Sequence, residues 1–484
     1  MKLRELLREI TVLSVSADLE QEITDITNDS RAVTPGCVFV AVKGLTVDGH
    51  KYIPQAVEKG AAVVFCEDVP AGDVAYVQVA DSRKALAMGA KVFFGDPSSK
   101  MTVIGVTGTN GKTTTTTLLK YVLEQTLQAK VGLIGTNGNL IGDEVLPTAH
   151  TTPESRDLQY LFSRMVEAGC SHVVMEVSSH SLDQGRVDGT DFDIGVFTNL
   201  TQDHLDYHIT MENYAAAKAK LFQLCRRGVV NLDDIWAETM LDGAICPICT
   251  FAANSDANLM ADNVVFKADG ISFDAVYGNQ CVPTRLSIPG TFSVYNALTV
   301  LATVMQLGVS LEAACKALET AKGVKGRVEV VPTDGDYTIL IDYAHTPDAL
   351  DNVLDSMRHV TEGRLVALFG CGGDRDRTKR PVMGRIAQEN ADLVIVTSDN
   401  PRTEDPMDII QDILKGMYEE MGNLEVIPDR VKAIEWAIEN HRDGDVIILA
   451  GKGHEDYQII GTEKFHMDER EIVAEILNRR RERK

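Results

Sequence analysis

The stretch Met101-Thr102-Val103-Ile104-Gly105-Val106-Thr107-Gly108-Thr109-Asn110-Gly111-Lys112-Thr113-Thr114 decides the reading of this chain. Met101 to Val106 is apolar and β-branched and reads as a strand. A glycine-rich turn follows, and the residues from Lys112 to about Ala129 read as a helix. Strand, glycine turn, Lys-Thr and helix together describe a nucleotide phosphate cradle. Glycines let backbone N–H groups approach the phosphates, and the helix N-terminus adds positive partial charge. Lys112 would neutralise the β and γ oxygens, and Thr113 can offer a hydroxyl to Mg²⁺. The common pattern G-x-x-x-x-G-K-[ST] needs glycine where this chain has Val106, so the loop is a variant.

Working outward, 484 residues exceed a single core and predict about three domains. A hydrophobic fraction of 44% with 24% charged residues is that of a globular protein. The formal net charge of −24 argues against a nucleic-acid partner, which needs concentrated Lys and Arg. No run is long or apolar enough to span a membrane, and the charged N-terminus is not a signal peptide, so a cytoplasmic location is expected. Nine scattered cysteines fit reduced thiols, with the lone Cys246-Pro247-Ile248-Cys249 read as packed thiols. The basic end, Arg479 to Lys484, reads as the dipole-complementing close of a helix.

The fold class expected is α/β in three domains: a small N-terminal α/β domain over 1–100, a central phosphate-loop domain over 101–330 with a mostly parallel sheet flanked by helices, and a C-terminal Rossmann-like domain over 331–484. In the first, Cys37 to Val42 and Ala61 to Phe65 are short apolar runs. In the second, strands are expected at Val131 to Ile134, His172 to Glu176 and Ile194 to Thr198, with a β-rich region from about 260 to 290 and a helix from Val294 to about Leu307. In the third, strands are expected at Thr338 to Ile341, Leu365 to Phe369, Leu393 to Val396 and Val446 to Leu449. Alternating strands and helices imply parallel sheets.

Chemistry gathers at the strand ends. Glu176 closes an apolar strand beside the phosphate loop, where an acid can hold Mg²⁺. Asn199-Leu200-Thr201-Gln202-Asp203-His204-Leu205-Asp206 follows the next strand. In the third domain three strands run into polar loops: Gly370 to Arg377, Thr397 to Arg402, and Gly451 to Glu455. Ligands bind outside the carboxyl ends of strands in open α/β sheets. If these loops meet, Arg375 and Arg402 supply cations and Glu455 an anion, a set that fits a zwitterion with an extra carboxylate. Each shielded arginine–carboxylate contact contributes on the order of 1.5–3 kcal/mol. ATP-driven joining of an amine to a carboxylate is one reading; a phosphate-loop regulator or transport ATPase is another.

These residues resemble the Mur ligase family, which builds the peptidoglycan stem peptide. The resemblance covers nearly the whole chain. It rests on Thr107 to Thr114, Glu176-Val177-Ser178-Ser179-His180, Asn199 to Asp206, Gly290-Thr291-Phe292-Ser293-Val294-Tyr295-Asn296-Ala297, Gly326-Arg327-Val328-Glu329 and Asp342-Tyr343-Ala344-His345-Thr346-Pro347-Asp348. Asp399-Asn400-Pro401-Arg402 matches the members that use meso-2,6-diaminopimelate, which carries one more carboxylate than lysine and can pair bidentately with Arg402. It argues against a folylpolyglutamate synthetase. Lys112, Glu176, Lys218 and His204 argue against a regulator built on an inactive ligase scaffold.

The resemblance implies an ATP- and Mg²⁺-dependent amide ligase that adds meso-2,6-diaminopimelate to UDP-N-acetylmuramoyl-L-alanyl-D-glutamate through an acyl phosphate, and a monomer. Lys112, Lys218 and His204 would be catalytic. Gly108, Thr109, Asn110, Gly111, Lys112, Thr113, Thr114, Asn296, Arg327 and Asp342 would contact ATP. Thr113 and Glu176 would hold one Mg²⁺, and His204 with Lys218, carbamylated to N6-carboxylysine, a second. Ser30, Thr151, Thr152, Ser178, Gln184 and Arg186 would meet the UDP-linked substrate. Arg375, Asp399, Asn400, Pro401, Arg402, Gly451 and Glu455 would meet diaminopimelate. The C-terminal domain is expected to swing in and close the site.

Overall fold

A computed structural model describes residues 1–44, 47–142, 144–148, 150–418 and 422–483. Lys484 of the basic end lies outside them, as does the side chain of Asp206. The chain divides into two compact units. One comprises Met1–Met260 with Leu298–Ala314, the other Ala261–Ala297 with Cys315–Lys484.

The first unit holds two sheets. The smaller contains β1 (Val12–Val15), β2 (Ile26–Thr27), β3 (Val38–Val40), β4 (Val63–Cys66) and β5 (Tyr76–Val79) in the order β1-β5-β4-β3-β2. Helix Ser82–Phe93 covers one face with Ala85, Leu86 and Ala90 against Val38 and Val40. Helix Ile53–Glu58 covers the other with Ile53 and Ala56 against Phe39 and Ala41. Burial on both faces is why this run reads as continuously apolar rather than alternating.

The larger sheet uses β6 (Thr102–Thr107), β7 (Val131–Gly135), β8 (Gly138–Ile141), β9 (Glu144–Leu146), β10 (His172–Glu176), β11 (Phe192–Phe197), β12 (Cys225–Asn231), β13 (Ile248–Ala252) and the start of β14 (Leu259–Lys267). Their order is β14-β13-β12-β11-β6-β10-β7-β8-β9. From β14 to β7 the strands are parallel, and β8 and β9 turn back antiparallel at one edge. The strand feeding the phosphate loop, β6, is thus central, with Glu176 and the 199–206 segment following its two neighbours.

In the second unit β15 (Gly270–Tyr277) and β16 (Gln280–Leu286) form an antiparallel hairpin. Its main sheet has β17 (Glu329–Val331), β18 (Tyr337–Asp342), β19 (Leu365–Phe369), β20 (Leu393–Val396), β21 (Leu424–Val426) and β22 (Asp445–Ala450) in the order β17-β18-β22-β19-β20-β21. All but β17 run parallel. Helices Pro347–Arg358, Lys379–Asn390 and Pro406–Leu414 pack one face through Leu350, Met383 and Ile410. Helices Arg430–Glu439 and Glu469–Arg483 pack the other through Ile434 and Val473. This is a doubly wound sheet, and sheets of this kind bind ligands beyond the carboxyl ends of their strands. A small hairpin, β23 (Tyr457–Ile460) with β24 (Glu463–His466), follows β22.

All nine cysteines are thiols. Cys249 is buried on β13, and the Cys246 Sγ lies 3.6 Å from that of Cys225. Arg479 pairs with Glu435 at 3.2 Å and Arg480 donates to the Ile438 carbonyl at 3.0 Å, so these two cations serve packing of the last helix. Among the described residues no helix is long and apolar enough to cross a membrane.

Candidate active site

The phosphate loop leaves β6 through Gly108 and enters helix Lys112–Leu127 through Gly111. Gly111 takes φ +82°, a left-handed conformation open to glycine at little cost. Segment 198–201 pins the loop from beside it. Asn199 Oδ1 accepts from Asn110 N at 2.9 Å, Thr198 Oγ1 donates to Asn110 O at 2.8 Å, and Thr109 N donates to Asn199 O at 2.8 Å. Lys112 curls over its own loop, its Nζ donating to Gly108 O and Thr109 O at 2.9 Å each.

Lys218 arrives from helix Met211–Ala219, where Thr210 caps the N-terminus. Its Nζ donates to the same Gly108 carbonyl at 2.8 Å and stands 4.6 Å from the centre of the Tyr214 ring. The residue is 1% exposed. Burial and the charge of Lys112 hold its ammonium well below the usual lysine range, against a smaller opposing pull from Asp203. Composition marked neither Lys218 nor Lys220. The structure separates them, since Lys220 is solvent-exposed and pairs with Asp183 at 2.8 Å.

Glu176 is buried at the end of β10 and accepts from Thr136 N at 3.0 Å and Thr136 Oγ1 at 3.1 Å. Gly135 makes room, since a Cβ there would meet Glu176 Oε1. Thr136 continues to Thr151 Oγ1 at 3.1 Å, and Thr152 Oγ1 donates to Glu176 O at 2.9 Å. Ser178 N returns a bond to Thr152 Oγ1 at 3.0 Å while its hydroxyl caps helix Ser179–Asp183. Arg186 bonds Thr152 O at 3.2 Å, Gln184 Oε1 at 2.7 Å and Glu154 at 3.0 Å. Thr151, Thr152, Ser178, Gln184 and Arg186 therefore form one network around Glu176.

Ser30 lies outside that network. It bonds Gln55 at 3.0 Å and lines a cavity of about 1060 Å³ shared with Arg31, Asn139, His150, Glu154 and Arg156. Glu154 connects the two regions, because it both lines the cavity and pairs with Arg186.

His204 adopts φ +53° and packs edge-on against His180, with ring centres 4.9 Å apart. His208 lies deeper, stacked on Tyr214 at 4.9 Å and bonded to Ser179 Oγ at 2.9 Å; burial pushes its pKa down to about 4. Among the described residues no three His, Cys, Asp or Glu side chains gather as a ready metal-ligand set. Glu176 supplies a buried carboxylate and His204 an imidazole, donors suited to Mg²⁺ only when further oxygen ligands join them.

In the second unit the three polar loops do meet. Asn400 Nδ2 donates to Glu455 Oε2 at 2.9 Å, and Arg402 Nη1 donates to Gly373 O at 2.8 Å. A Cβ on Gly372 would lie 2.9 Å from Arg402 Nη1 and 3.8 Å from the Arg375 stem, so both arginines flank that glycine. A Cβ on Gly451 would meet the Asp399 carboxylate at 2.8 Å. Pro401 lies between Asn400 and Arg402, and its carbonyl closely approaches Gly373.

Sequence reasoning passed over two buried cations that hold these loops. Lys452 donates to Asn400 Oδ1 at 3.1 Å and to Glu455 Oε2 at 3.0 Å. Arg380, fully buried, bonds Glu404 at 2.8 Å and Asp412 at 2.9 Å beneath the 372–376 loop. Lys452 sat within a quoted motif; Arg380 gave no signal beyond a charge in a helix.

Of the expected ATP contacts, Gly108 to Thr114 belong to the first unit and Asn296, Arg327 and Asp342 to the second. Asp342 ends β18 and accepts from Val328 N at 2.8 Å. Burial pushes its carboxyl up while Arg327 pulls it down. Arg327 lies over the Tyr343 ring at 5.2 Å.

A phosphate loop at the centre of one sheet, and polar loops carrying Arg375 and Arg402 at the strand ends of a doubly wound sheet, are the arrangement of a nucleotide-using α/β protein. Residues 106–304 match the Mur ligase middle domain, 326–453 the Mur ligase glutamate ligase domain, and 22–80 the Mur ligase family catalytic domain. The chain is 44% identical over 484 residues to the UDP-N-acetylmuramoyl-L-alanyl-D-glutamate–2,6-diaminopimelate ligase of Clostridioides difficile, covering 99% of this chain and 100% of that one. It is 48% identical over 459 residues to the ligase of the same name from Caldanaerobacter subterraneus subsp. tengcongensis, covering 94% and 95%. A solved structure of a ligase of that name superposes with a TM-score of 0.78 at 33% identity over 99% of both chains. The chain belongs to the Mur ligase family.

Proposed function

We propose that this chain is the ATP-dependent ligase that joins meso-2,6-diaminopimelate to UDP-N-acetylmuramoyl-L-alanyl-D-glutamate. The observation that carries the reading is the convergence of Asn400, Arg402 and Glu455, from two strand-end loops, at the doubly wound sheet. Full-length relatives at 44–48% identity carry that activity in their names. Residues 1–100 would bind the UDP-substrate, 101–330 ATP and 331–484 the amino acid. Arg375 and Arg402 suit the carboxylates, and Glu455 suits the ammonium. The guanidinium of Arg402 would remain unpaired beside lysine, which penalises that competitor.

In the reaction the D-glutamate side-chain carboxylate attacks the γ-phosphorus of ATP and ADP departs. The diaminopimelate amine then attacks the acyl carbon, a tetrahedral intermediate collapses, and phosphate leaves. Lys112 would move from its loop carbonyls to the phosphoryl oxygens and offset the charge growing there. Thr113 and Glu176 would hold one Mg²⁺, and His204 with carbamylated Lys218 a second; bound there, the ions neutralise phosphate charge. The burial of Lys218 supports the modification. Two amines on the Gly108 carbonyl cannot both carry charge cheaply, and Lys218, the more buried, is the one driven toward the neutral form that adds CO₂. The carbamate keeps one N–H for Gly108 and adds an anionic oxygen donor.

The test is phosphate release with ATP, Mg²⁺ and UDP-N-acetylmuramoyl-L-alanyl-D-glutamate, run in parallel with meso-diaminopimelate and with L-lysine. Release with diaminopimelate alone is expected. Release with lysine instead would overturn the role given to Arg402, and release with neither would overturn the ligase.

A further inference from the structure

The first cysteine of Cys246-Pro247-Ile248-Cys249 meets a partner far from it in sequence. Cys249 is buried in β13 and bonds Gln306. Cys246 lies instead against Cys225, the first residue of β12, with the two Sγ atoms 3.6 Å apart and in van der Waals contact. The two chains run side by side here. Strands β12 and β13 are parallel, Gly228 pairs with Ile248, and Gly228 N donates to Pro247 O at 2.9 Å. Neighbouring strands lie about 4.8 Å apart, inside the Cα separation of roughly 4.4–6.8 Å that a disulfide accepts. Gly195 on β11 leaves the space that Cys225 fills, since a Cβ there would lie 2.8 Å from its Sγ. The two thiols differ in exposure. Cys225 is 7% exposed, whereas Cys246 is half-buried between two exposed residues, Ile245 and Pro247.

We propose that Cys225 and Cys246 are a dithiol modification site, which a small disulfide such as oxidised glutathione converts to an intramolecular disulfide. The Cys246 thiolate, the one solvent reaches, attacks a sulfur of the oxidant. A mixed disulfide forms, and the first glutathione leaves with the proton. The Cys225 thiolate then attacks Cys246 Sγ, the protein disulfide forms, and the second glutathione leaves. Two protein thiols are oxidised and one small disulfide is reduced to two thiols. Burial pushes the Cys225 thiol up, and Cys246 beside it adds to that, so the second step is the slow one. Contact between the sulfurs offsets this, because the attacking atom already touches its target. The bond would close the loop that carries helix Ala237–Asp242. That loop packs on the chain leaving Lys218: Ile245 N donates to Phe222 O at 3.3 Å, and a Cβ on Gly243 would lie 3.2 Å from that of Ala219. Bridging would thus restrain the segment that follows the buried lysine. Neither thiol belongs to the phosphate loop or the strand-end loops, so the inference stands apart from the ligase reading.

The test is incubation of the full folded chain with oxidised glutathione, followed by acid quench, alkylation of the remaining thiols and peptide mass mapping. A peptide pair joined through Cys225 and Cys246 is expected, with two of the nine thiols lost to alkylation. The bridged protein should melt about 2–6 °C higher, and dithiothreitol should reverse the shift. Cys225→Ser should stop at glutathione on Cys246, and Cys246→Ser should leave position 225 unmodified. In urea the pairing should fall to its random share among the nine thiols. Two free thiols after prolonged treatment of wild type would overturn the inference. So would a glutathione adduct that persists on Cys246 with Cys225 still free, or bridging as selective in urea as in the folded chain. The wild-type map decides the matter even if a variant fails to fold.

Discussion

Two lysines in the first unit share one carbonyl, and their unequal burial gives them different chemistry. Lys218→Ala is expected to lower turnover by about 10²-fold or more, as loss of a charge-positioning group in a dry site does. Added short carboxylates should restore part of it, and Lys218→Arg, which cannot be carbamylated, should not be rescued. Rescue is read as phosphate release against acetate or formate concentration. Arg402→Lys should raise KM for diaminopimelate by roughly 10–100-fold, the worth of a shielded bidentate contact, and leave KM for ATP unchanged. His208 gives a pH prediction. Its folded pKa of about 4 lies below the ordinary 6.5, so the unfolded chain binds the extra proton first. Its contribution is complete above pH 6.5 and is lost as pH falls toward 4. His208→Gln should therefore lose less stability than wild type over that window in urea titrations. Legibility differed sharply among these residues. Glu176 could be found because a lone acid ended an apolar strand, and Lys112 because its loop is a motif. Lys218 sits among Ala-Lys-Ala-Lys, where only depth in the fold separates the buried amine from the solvated one.

At the level of elements, the strands feeding the site were plain to read and those beside it were not. Strands β6, β10, β11, β19, β20 and β22 are buried along most of their length and announce themselves as short runs rich in Val, Ile, Leu and Phe. Strand β12 opens Cys225-Arg226-Arg227-Gly228, and β8 and β9 are short strands at one end of the sheet, opening with a glycine and an acid, so pattern alone hid them. A second irregularity appears only in three dimensions. Ile209 takes φ +71° and ψ −47°, and Thr210 N bonds back to His208 O at 2.8 Å. This is the strained form of the γ-turn, on a β-branched residue that is 71% exposed. Ile209→Gly is expected to raise the melting temperature of the first unit, relieving roughly 1–2 kcal/mol of strain. Differential scanning fluorimetry reads it, and an unchanged or lower value would show that the turn is not strained.

Across the whole molecule, punctuation in the sequence and compactness in space divide the chain differently. The sequence breaks near 100 and 330, whereas the compact units exchange 261–297 and 298–314. Helix Phe292–Met305 crosses one of those exchanges without interruption, and a continuous helix offers no turn residues for sequence to read. Each unit has its own buried core. Calorimetric unfolding should accordingly depart from a single two-state transition, with a van't Hoff enthalpy below the calorimetric one. Equality of the two enthalpies would mean that the units melt as one.

The hairpin of β23 and β24 grips the backbone of Arg402 on both sides. Arg402 N donates to Ile459 O at 3.1 Å, and Gly461 N donates to Arg402 O at 2.7 Å. That grip keeps Arg402 at φ +52°, a conformation most side chains avoid. On the proposed function, retargeting these loops toward a different amino acid is thus a two-part redesign. Exchanging the arginine alone leaves its replacement aimed by a hairpin shaped for a guanidinium, so a library meant to change the product should vary residues 457–466 together with position 402.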